Sequence, residues 1–123
     1  MKKALLIISH GSRRPVSNEE VQALTARVQK LSGGMTVECA FLEMTPPSVQ
    51  QKIDELAAGG VTHIQVFPHF LAAGAHVTSD IPREIETARQ KHPGISFSIL
   101  AHLGSLPELP RLILGQLGVI NDE

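Results

Sequence analysis

Several residue types are scarce in this chain, and each scarcity excludes a class of protein. Cys39 is the only cysteine, which excludes an internal disulfide and a thiolate metal cluster and favours a reducing, cytoplasmic location. Tryptophan and tyrosine are absent and phenylalanine occurs four times, so a flat ligand would be held mainly by aliphatic side chains. The formal net charge of −1 offers no long-range field for attracting nucleic acid or an anionic membrane.

Long apolar runs and the common nucleotide motifs are missing as well. The apolar run over residues 4–8 is far too short for a membrane span or a signal peptide. There is no His-Glu-x-x-His helix, which argues against an ordinary zinc protease, and no Gly-x-Gly-x-x-Gly or phosphate-binding Walker loop. Nucleotide chemistry therefore has no support, and no organic cofactor is expected.

What the chain does contain is a strand-and-helix unit that occurs four times in succession. The apolar run 4–8 lacks alternation, which is typical of a strand covered on both faces of a parallel sheet. Predicted strands cover residues 4–8, 36–42, 64–67 and 95–100, and the last helix is predicted over 107–117. This order predicts one α/β domain over residues 1–123, a doubly wound parallel four-stranded sheet with helices on both faces. We expect residues 121–123 to fray.

Two helix starts are predicted from capping residues. Ser17 with Glu20 three positions later has the spacing of a capping box, so we expect the first helix to begin there. Before the third helix, Asp80 and Pro82 are interpreted as a helix start without a further role.

Polar side chains follow each predicted strand. These are His10, Glu43, His69 with His76, and His102. Because parallel strands point the same way, their carboxyl ends share one edge, where ligands bind in α/β proteins. Two or three neutral imidazoles with a carboxylate suit a divalent iron, cobalt, nickel or zinc ion, and ligand chemistry does not choose among these metals.

Each of these residues also has an alternative interpretation. Glu43 either accepts protons or pairs with Arg13 or a helix end. His69 is either a ligand or a histidine bonded to a loop carbonyl, and His102 either joins the site or belongs to a simple turn. Phe70 is interpreted as pocket wall, and we expect Gly74 to let the backbone turn tightly.

Five separated segments together resemble one family. Residues 8–13, 41–43, 68–71, 74–76 and 80–82 are similar in order and spacing to the small CbiX-type sirohydrochlorin chelatases, class II chelatases with half-length subunits. The resemblance implies a chelatase-like, flavodoxin-related fold and insertion of cobalt, iron or nickel, as a divalent metal substrate, into sirohydrochlorin. It also implies a homodimer, His10 and His76 as metal ligands, and Glu43 as the nearby acidic group.

Chelation needs ligands that release the ion and a base for the two pyrrolic protons, and imidazoles near neutrality can do both. Sirohydrochlorin carries many carboxylates, so the candidate substrate-binding residues are Ser9, Ser12, Arg13, Arg14, Phe70 and Gly74. A non-catalytic metal or tetrapyrrole carrier would use the same edge. A histidine phosphatase is the other alternative, because a strand leads into Ser9-His10-Gly11, although Ser9 stands where that class has an arginine.

Apolar residues of the last helix are expected to be covered by a second copy of the chain; these are Leu112, Ile113, Leu114 and Leu117.

Overall fold

A computed structural model describes residues 2–118 and shows a four-stranded, all-parallel sheet. The predicted fraying of residues 121–123 lies outside this range. The elements follow in the order β1 (Lys3–Ser9), α1 (Pro15–Leu31), β2 (Thr36–Phe41), α2 (Val49–Ala58), β3 (His63–Pro68), a π-helical turn (His76–Asp80), α3 (Ile81–Lys91), β4 (Ser96–Ile99), a 3₁₀ turn (Leu103–Ser105) and α4 (Leu109–Gly115). The predicted α/β class is confirmed.

The strand order β2-β1-β3-β4 makes the sheet doubly wound. The chain moves from β1 to β2 in one direction and then crosses β1 to build β3 and β4 on the other side. Right-handed crossovers therefore place α1 on one face and the next two helices on the other. Apolar side chains agree with this arrangement, because Val21 and Val28 of α1 pack near Ile7, whereas Ile53 of α2 and Ile85 of α3 join the core on the opposite face.

The register of the strands fixes which residues meet at the carboxyl edge. Ser9 is paired with Phe41 in β2, and Ile8 is paired with Pro68 in β3. The residues that follow these strands therefore start from neighbouring positions at one edge, as the alternation of βα units predicts.

The start of α1 differs from the prediction. The helix begins at Pro15, with Arg14 at the N-cap and no side-chain capping bond, so the predicted cap at Ser17 is wrong. A proline suits the first turn because its fixed φ is helical and its missing N–H has no partner there. The helix has already begun when the chain reaches Ser17, whose N–H donates to the Arg14 carbonyl at 3.1 Å.

A capping box does occur in α2, where the prediction named none. The Ser48 side chain accepts from the Gln51 N–H, and the Gln51 side chain accepts from the Ser48 N–H. The Ser-x-x-Gln spacing was visible in the sequence and has the same physical basis as Ser-x-x-Glu.

The fourth strand-and-helix unit, β4 with α4, is more exposed to solvent than the other three. In β4, Ser96, Ser98 and Ile99 are exposed, and α4 lies against the 3₁₀ turn and presents apolar side chains to solvent. Within residues 2–118, no helix is both long and apolar enough to cross a membrane.

Candidate functional site

Backbone hydrogen bonds continue past the strand ends and hold the loops of the carboxyl edge together. The N–H of Leu42 donates to the Ser9 carbonyl at 2.9 Å, and the N–H of Glu43 donates to the His10 carbonyl at 3.0 Å. On the other side, the N–H of His69 donates to the Ile8 carbonyl at 2.8 Å. The loop after β1 thus lies between the segments that follow β2 and β3.

His10 is oriented by partners at both ring nitrogens. Its Nδ1 is 2.9 Å from the Gly11 carbonyl oxygen, and its Nε2 is 3.2 Å from Oε2 of Glu43. A carbonyl only accepts, so Nδ1 carries a proton and donates it. The Nε2 atom therefore faces the carboxylate and the open edge, where about two fifths of the His10 side chain is exposed. Glu43 pairs with His10, and no ion pair joins it to Arg13 in the described residues.

Gly11 is required by the geometry of this loop. Its φ is +96°, and a Cβ atom there would collide with the carbonyl oxygen of Glu43. Only glycine fits both conditions. The side chains next to Gly11 were predicted as site residues and Gly11 was not, although a glycine directly after His10 is visible in the sequence.

His76 reaches the same place from the segment after β3. The ring centroids of His10 and His76 are 4.5 Å apart with planes inclined at 50°, and the Phe70 ring stacks on His76 with centroids 5.8 Å apart. The Nδ1 atom of His76 lies 2.7 Å from Oδ2 of Asp80. The structure therefore brings together two imidazoles, one carboxylate beside each of them, and an aromatic wall.

His69 is placed differently from His76. Its Nδ1 is 2.9 Å from the Ser9 hydroxyl, and burial lowers the pKa of its imidazole below the usual range because the charged form is desolvated. Ser9 itself is only 5% exposed. The pair is an internal contact, so Ser9 is placed to orient His69 and does not face the open edge.

His102 contributes to the site through its backbone neighbours. In the part of the chain that is described, its ring is not among those in contact with His10, His76 and Phe70. Two positions later, the N–H of Gly104 donates to the Phe70 carbonyl at 3.0 Å, and a Cβ on Gly104 would collide with the Leu71 carbonyl. The turn after β4 therefore supports the segment that carries Phe70.

The basic residues lie beside the histidines at the start of α1. Arg13 and Arg14 are exposed, and neither forms an ion pair among residues 2–118. Buried Asn18 holds the loop before them, accepting from the Ser12 N–H at 3.0 Å and donating to its carbonyl at 2.8 Å. A cleft of about 310 Å³ opens between this loop and the segment after β2, lined by Ser12, Arg13, Asn18, Gln22, Met44 and Thr45, among others.

Gly74 does not have the role that was expected for it. Its φ is not positive, and a Cβ atom there would meet nothing within 4 Å. The turn relies on its carbonyl, which accepts from the N–H groups of Val77 and Thr78 and from the Thr78 hydroxyl. The backbone at Gly74 therefore does not require a glycine for a tight turn.

Asp80 occupies the N-cap position of α3 and Pro82 lies in its first turn, as expected, but the expectation that Asp80 has no further role is wrong. Its side chain makes no capping bond and instead contacts His76 and Arg83. Among the described residues, no group of three or more His, Cys, Asp or Glu side chains is arranged to hold a metal ion.

Comparison with known proteins gives one consistent result. The family model CbiX matches residues 4–118. The chain is 34% identical over 93 residues to the sirohydrochlorin cobaltochelatase of Methanococcoides burtonii, covering 76% of this chain and 71% of that protein. It is 39% identical over 80 residues to the sirohydrochlorin cobaltochelatase of Methanopyrus kandleri, covering 65% of this chain and 56% of that protein.

Solved structures show the same fold. The sirohydrochlorin chelatase SirB from Bacillus subtilis subspecies spizizenii, in complex with cobalt, superposes with a TM-score of 0.85 and 30% identity, over 96% of this chain and 50% of that one. A putative cobalamin biosynthesis CbiX protein from Marinobacter aquaeolei superposes with a TM-score of 0.82 and 25% identity, over 94% of each chain. The chain thus spans little more than half of some relatives and most of others.

Proposed function

The chain belongs to the CbiX family, and from that membership we propose that it is a sirohydrochlorin chelatase. The reaction is insertion of a divalent metal ion into sirohydrochlorin, on the routes to cobalamin and siroheme. Relatives named cobaltochelatase and ferrochelatase make cobalt and iron the first candidates, with nickel as the third. The observation that carries the proposal is the pairing of the His10 and His76 rings beside Glu43, at the edge where the family motifs meet.

The separation of the two imidazoles suits binding of one metal ion. An imidazole nitrogen binds a zinc-like ion at about 2.0–2.1 Å, which places the ring centre roughly 3.2 Å from the ion. Two rings at right angles around one ion would then have centres about 4.5 Å apart. The observed separation of the His10 and His76 ring centroids is 4.5 Å, which is compatible with both rings binding one ion. Two neutral ligands also leave the ion free to move on to the macrocycle.

Glu43 is our candidate for the base. Metal insertion removes the two pyrrolic N–H protons of the macrocycle, and a carboxylate in hydrogen-bonding range of the metal ligands can accept them. Its Oε2 lies 3.2 Å from Nε2 of His10, and about half of its side chain is exposed, so protons can pass from it to solvent.

The macrocycle would be held by the residues around the histidines. Arg13 and Arg14 are exposed cations beside a cleft, which suits the peripheral carboxylates of sirohydrochlorin, and Ser12 and the backbone at Gly74 lie in the two loops that flank the histidines. Phe70 forms a wall behind His76. The proposal involves no organic cofactor, and we place the protein in the cytoplasm, where the free, buried thiol of Cys39 would stay reduced.

A homodimer is part of the proposal. The side chains of Leu112 and Ile113 in α4 and of Leu117 just after it are 62%, 62% and 70% exposed, and a second copy would cover them. Light scattering of the purified protein checks this, with Ile113→Glu as the variant expected to shift a dimer toward the monomer. A wild-type monomer at assay concentration would contradict it.

The central experiment is incubation with sirohydrochlorin and cobalt, iron or nickel in turn, following the absorbance change against the uncatalysed rate. We expect acceleration, and a loss of at least about 100-fold in His10→Ala and His76→Ala, since either change removes one of two ligands. His63→Ala is the matched control, because His63 lies at the opposite edge and its Nδ1 contacts only its neighbour Thr62. Full activity in both site variants would refute the assignment, and stoichiometric binding without acceleration would indicate a carrier.

A further inference from the structure

Asp80 is held between a histidine and an arginine on the π-helical turn that precedes α3. Its Oδ2 accepts from Nδ1 of His76 at 2.7 Å, and its Oδ1 accepts from Nη2 of Arg83 at 3.2 Å. Both carboxylate oxygens are thus engaged, and less than a third of the side chain is exposed. The contact with Arg83 fixes the carboxylate in the orientation in which it meets the imidazole.

Both His76 and Asp80 lie on the π-helical turn. The N–H of Ile81 donates to the His76 carbonyl five residues back, so the turn is wider than an α-helical one. Ile81 is fully buried in the core and anchors the end of the turn. Wide single turns of this kind are frequent at functional sites.

The contact determines which nitrogen of His76 can bind a metal. A carboxylate only accepts, so the ring proton is on Nδ1 and the lone pair on Nε2 is free. A carboxylate behind a metal-binding histidine fixes the tautomer and ring orientation and makes the free nitrogen more basic. At His10 the partner of Nδ1 is the Gly11 carbonyl, which is neutral, and the carboxylate of Glu43 lies beside Nε2 instead.

We propose that Asp80 is a positioning residue that prepares His76 to capture the metal ion, an inference that rests on the proposed chelatase function. Asp80 touches neither metal nor macrocycle and acts through the imidazole alone. Loss of such a carboxylate typically lowers metal affinity or activity by 10- to 100-fold, and we expect that range for Asp80→Ala. Asp80→Asn keeps an accepting oxygen without the charge and should fall between Asp80→Ala and the wild type.

A second aspartate–histidine pair provides a matched control. Oδ1 of Asp54 lies 2.7 Å from Nε2 of His92, in a contact that joins α2 to the end of α3 far from the histidine site. Asp54→Ala therefore removes a bond of the same kind and length without altering His76.

The test measures Co²⁺ affinity, the chelation rate, and the tautomer of His76 by nitrogen NMR of the imidazole. We expect Asp80→Ala to weaken Co²⁺ binding and slow chelation by about 10- to 100-fold, and to lose the dominance of the Nδ1–H tautomer, while Asp54→Ala leaves all three unchanged. The isosteric Asp80→Asn variant replaces Asp80→Ala if the latter fails to fold.

Failure of this inference differs from failure of the proposed function. A wild-type protein that does not accelerate metallation refutes the chelatase proposal, yet the tautomer of His76 still reports what Asp80 does. An unchanged tautomer and unchanged Co²⁺ affinity in folded Asp80→Ala would overturn the inference, and so would an equal loss in Asp54→Ala.

Discussion

The two loops that carry His10 and His76 are held by different kinds of contact. The loop after β1 is fixed by backbone bonds from Leu42 and Glu43 and by the close approach of Gly11 to the Glu43 carbonyl. The segment after β3 runs through five exposed residues, 71–75, before His76, whose ring is then held by the side chains of Asp80 and Phe70.

This difference predicts different sensitivities. Backbone bonds do not depend on side-chain identity, so the path of the first loop should be sensitive mainly to changes at Gly11 and at Asn18, whose side chain bonds the Ser12 backbone. The second segment depends on specific side chains and has few long-range backbone bonds, so it can adjust more readily when a large macrocycle approaches. Of the two proposed metal ligands, His10 is therefore the more rigidly placed, and His76 lies on the more adaptable segment.

The largest effect is expected where the backbone contact is broken. Gly11→Ala combines a positive φ with a collision against the Glu43 carbonyl, and we expect a loss of about 2–4 kcal/mol in the free energy of unfolding and of more than about 10-fold in chelation rate. The equivalent change in the other segment, Gly74→Ala, should stay within about 0.5 kcal/mol, because its added methyl group meets nothing within 4 Å.

Denaturant unfolding and the metallation rate of both variants check this contrast. Equal stability of Gly11→Ala and Gly74→Ala would show that the first loop is as adaptable as the second, which would remove the basis of the comparison.

A smaller effect is expected when the positive charge of Arg13 or Arg14 is removed. These cations belong only to the first loop. Arg13→Gln and Arg14→Gln should each raise KM for sirohydrochlorin by about 5- to 20-fold with a modest change in kcat, because they remove binding that is common to ground and transition states. Arg27→Gln, on the exposed surface of the same helix α1, is the control. A fall in kcat at constant KM would instead place these arginines in the chemical step.

The smallest effect is expected at His69. Its ring lies after β3 and contacts the hydroxyl of Ser9 at the end of β1. Burial lowers its pKa in the folded protein, so below its ordinary pKa of 6.5 the unfolded chain binds a proton more readily than the folded one. Stability should therefore fall as the pH drops from 6.5 toward the lowered pKa of the folded state, with no further loss from this group below it.

Unfolding free energies of the wild type and His69→Gln between about pH 7.5 and pH 5 check the sign, and His63→Gln is the control. The dependence on pH should be flatter in His69→Gln alone. An unchanged slope would mean that burial of His69 does not resist its protonation.

Much of this architecture follows from the sequence by itself. The succession of four apolar strands and helices predicts a parallel, doubly wound sheet, and parallel strands necessarily bring His10, Glu43 and the histidines after β3 to one edge. The resemblance of five short segments identifies the family, because their order and spacing are specific.

The partners of individual side chains were decided by the tertiary structure. The family resemblance favoured His76 over His69 as a metal ligand but left the role of His69 open, and the sequence presented Asp80 as a helix start and Gly74 as a turn glycine. In the structure, the His69 ring contacts the Ser9 hydroxyl, and the Asp80 carboxylate contacts His76. The position that requires a glycine is Gly11. The physical reason is that periodicity reports which face a residue occupies, whereas loop path and side-chain orientation depend on contacts between residues far apart in the chain.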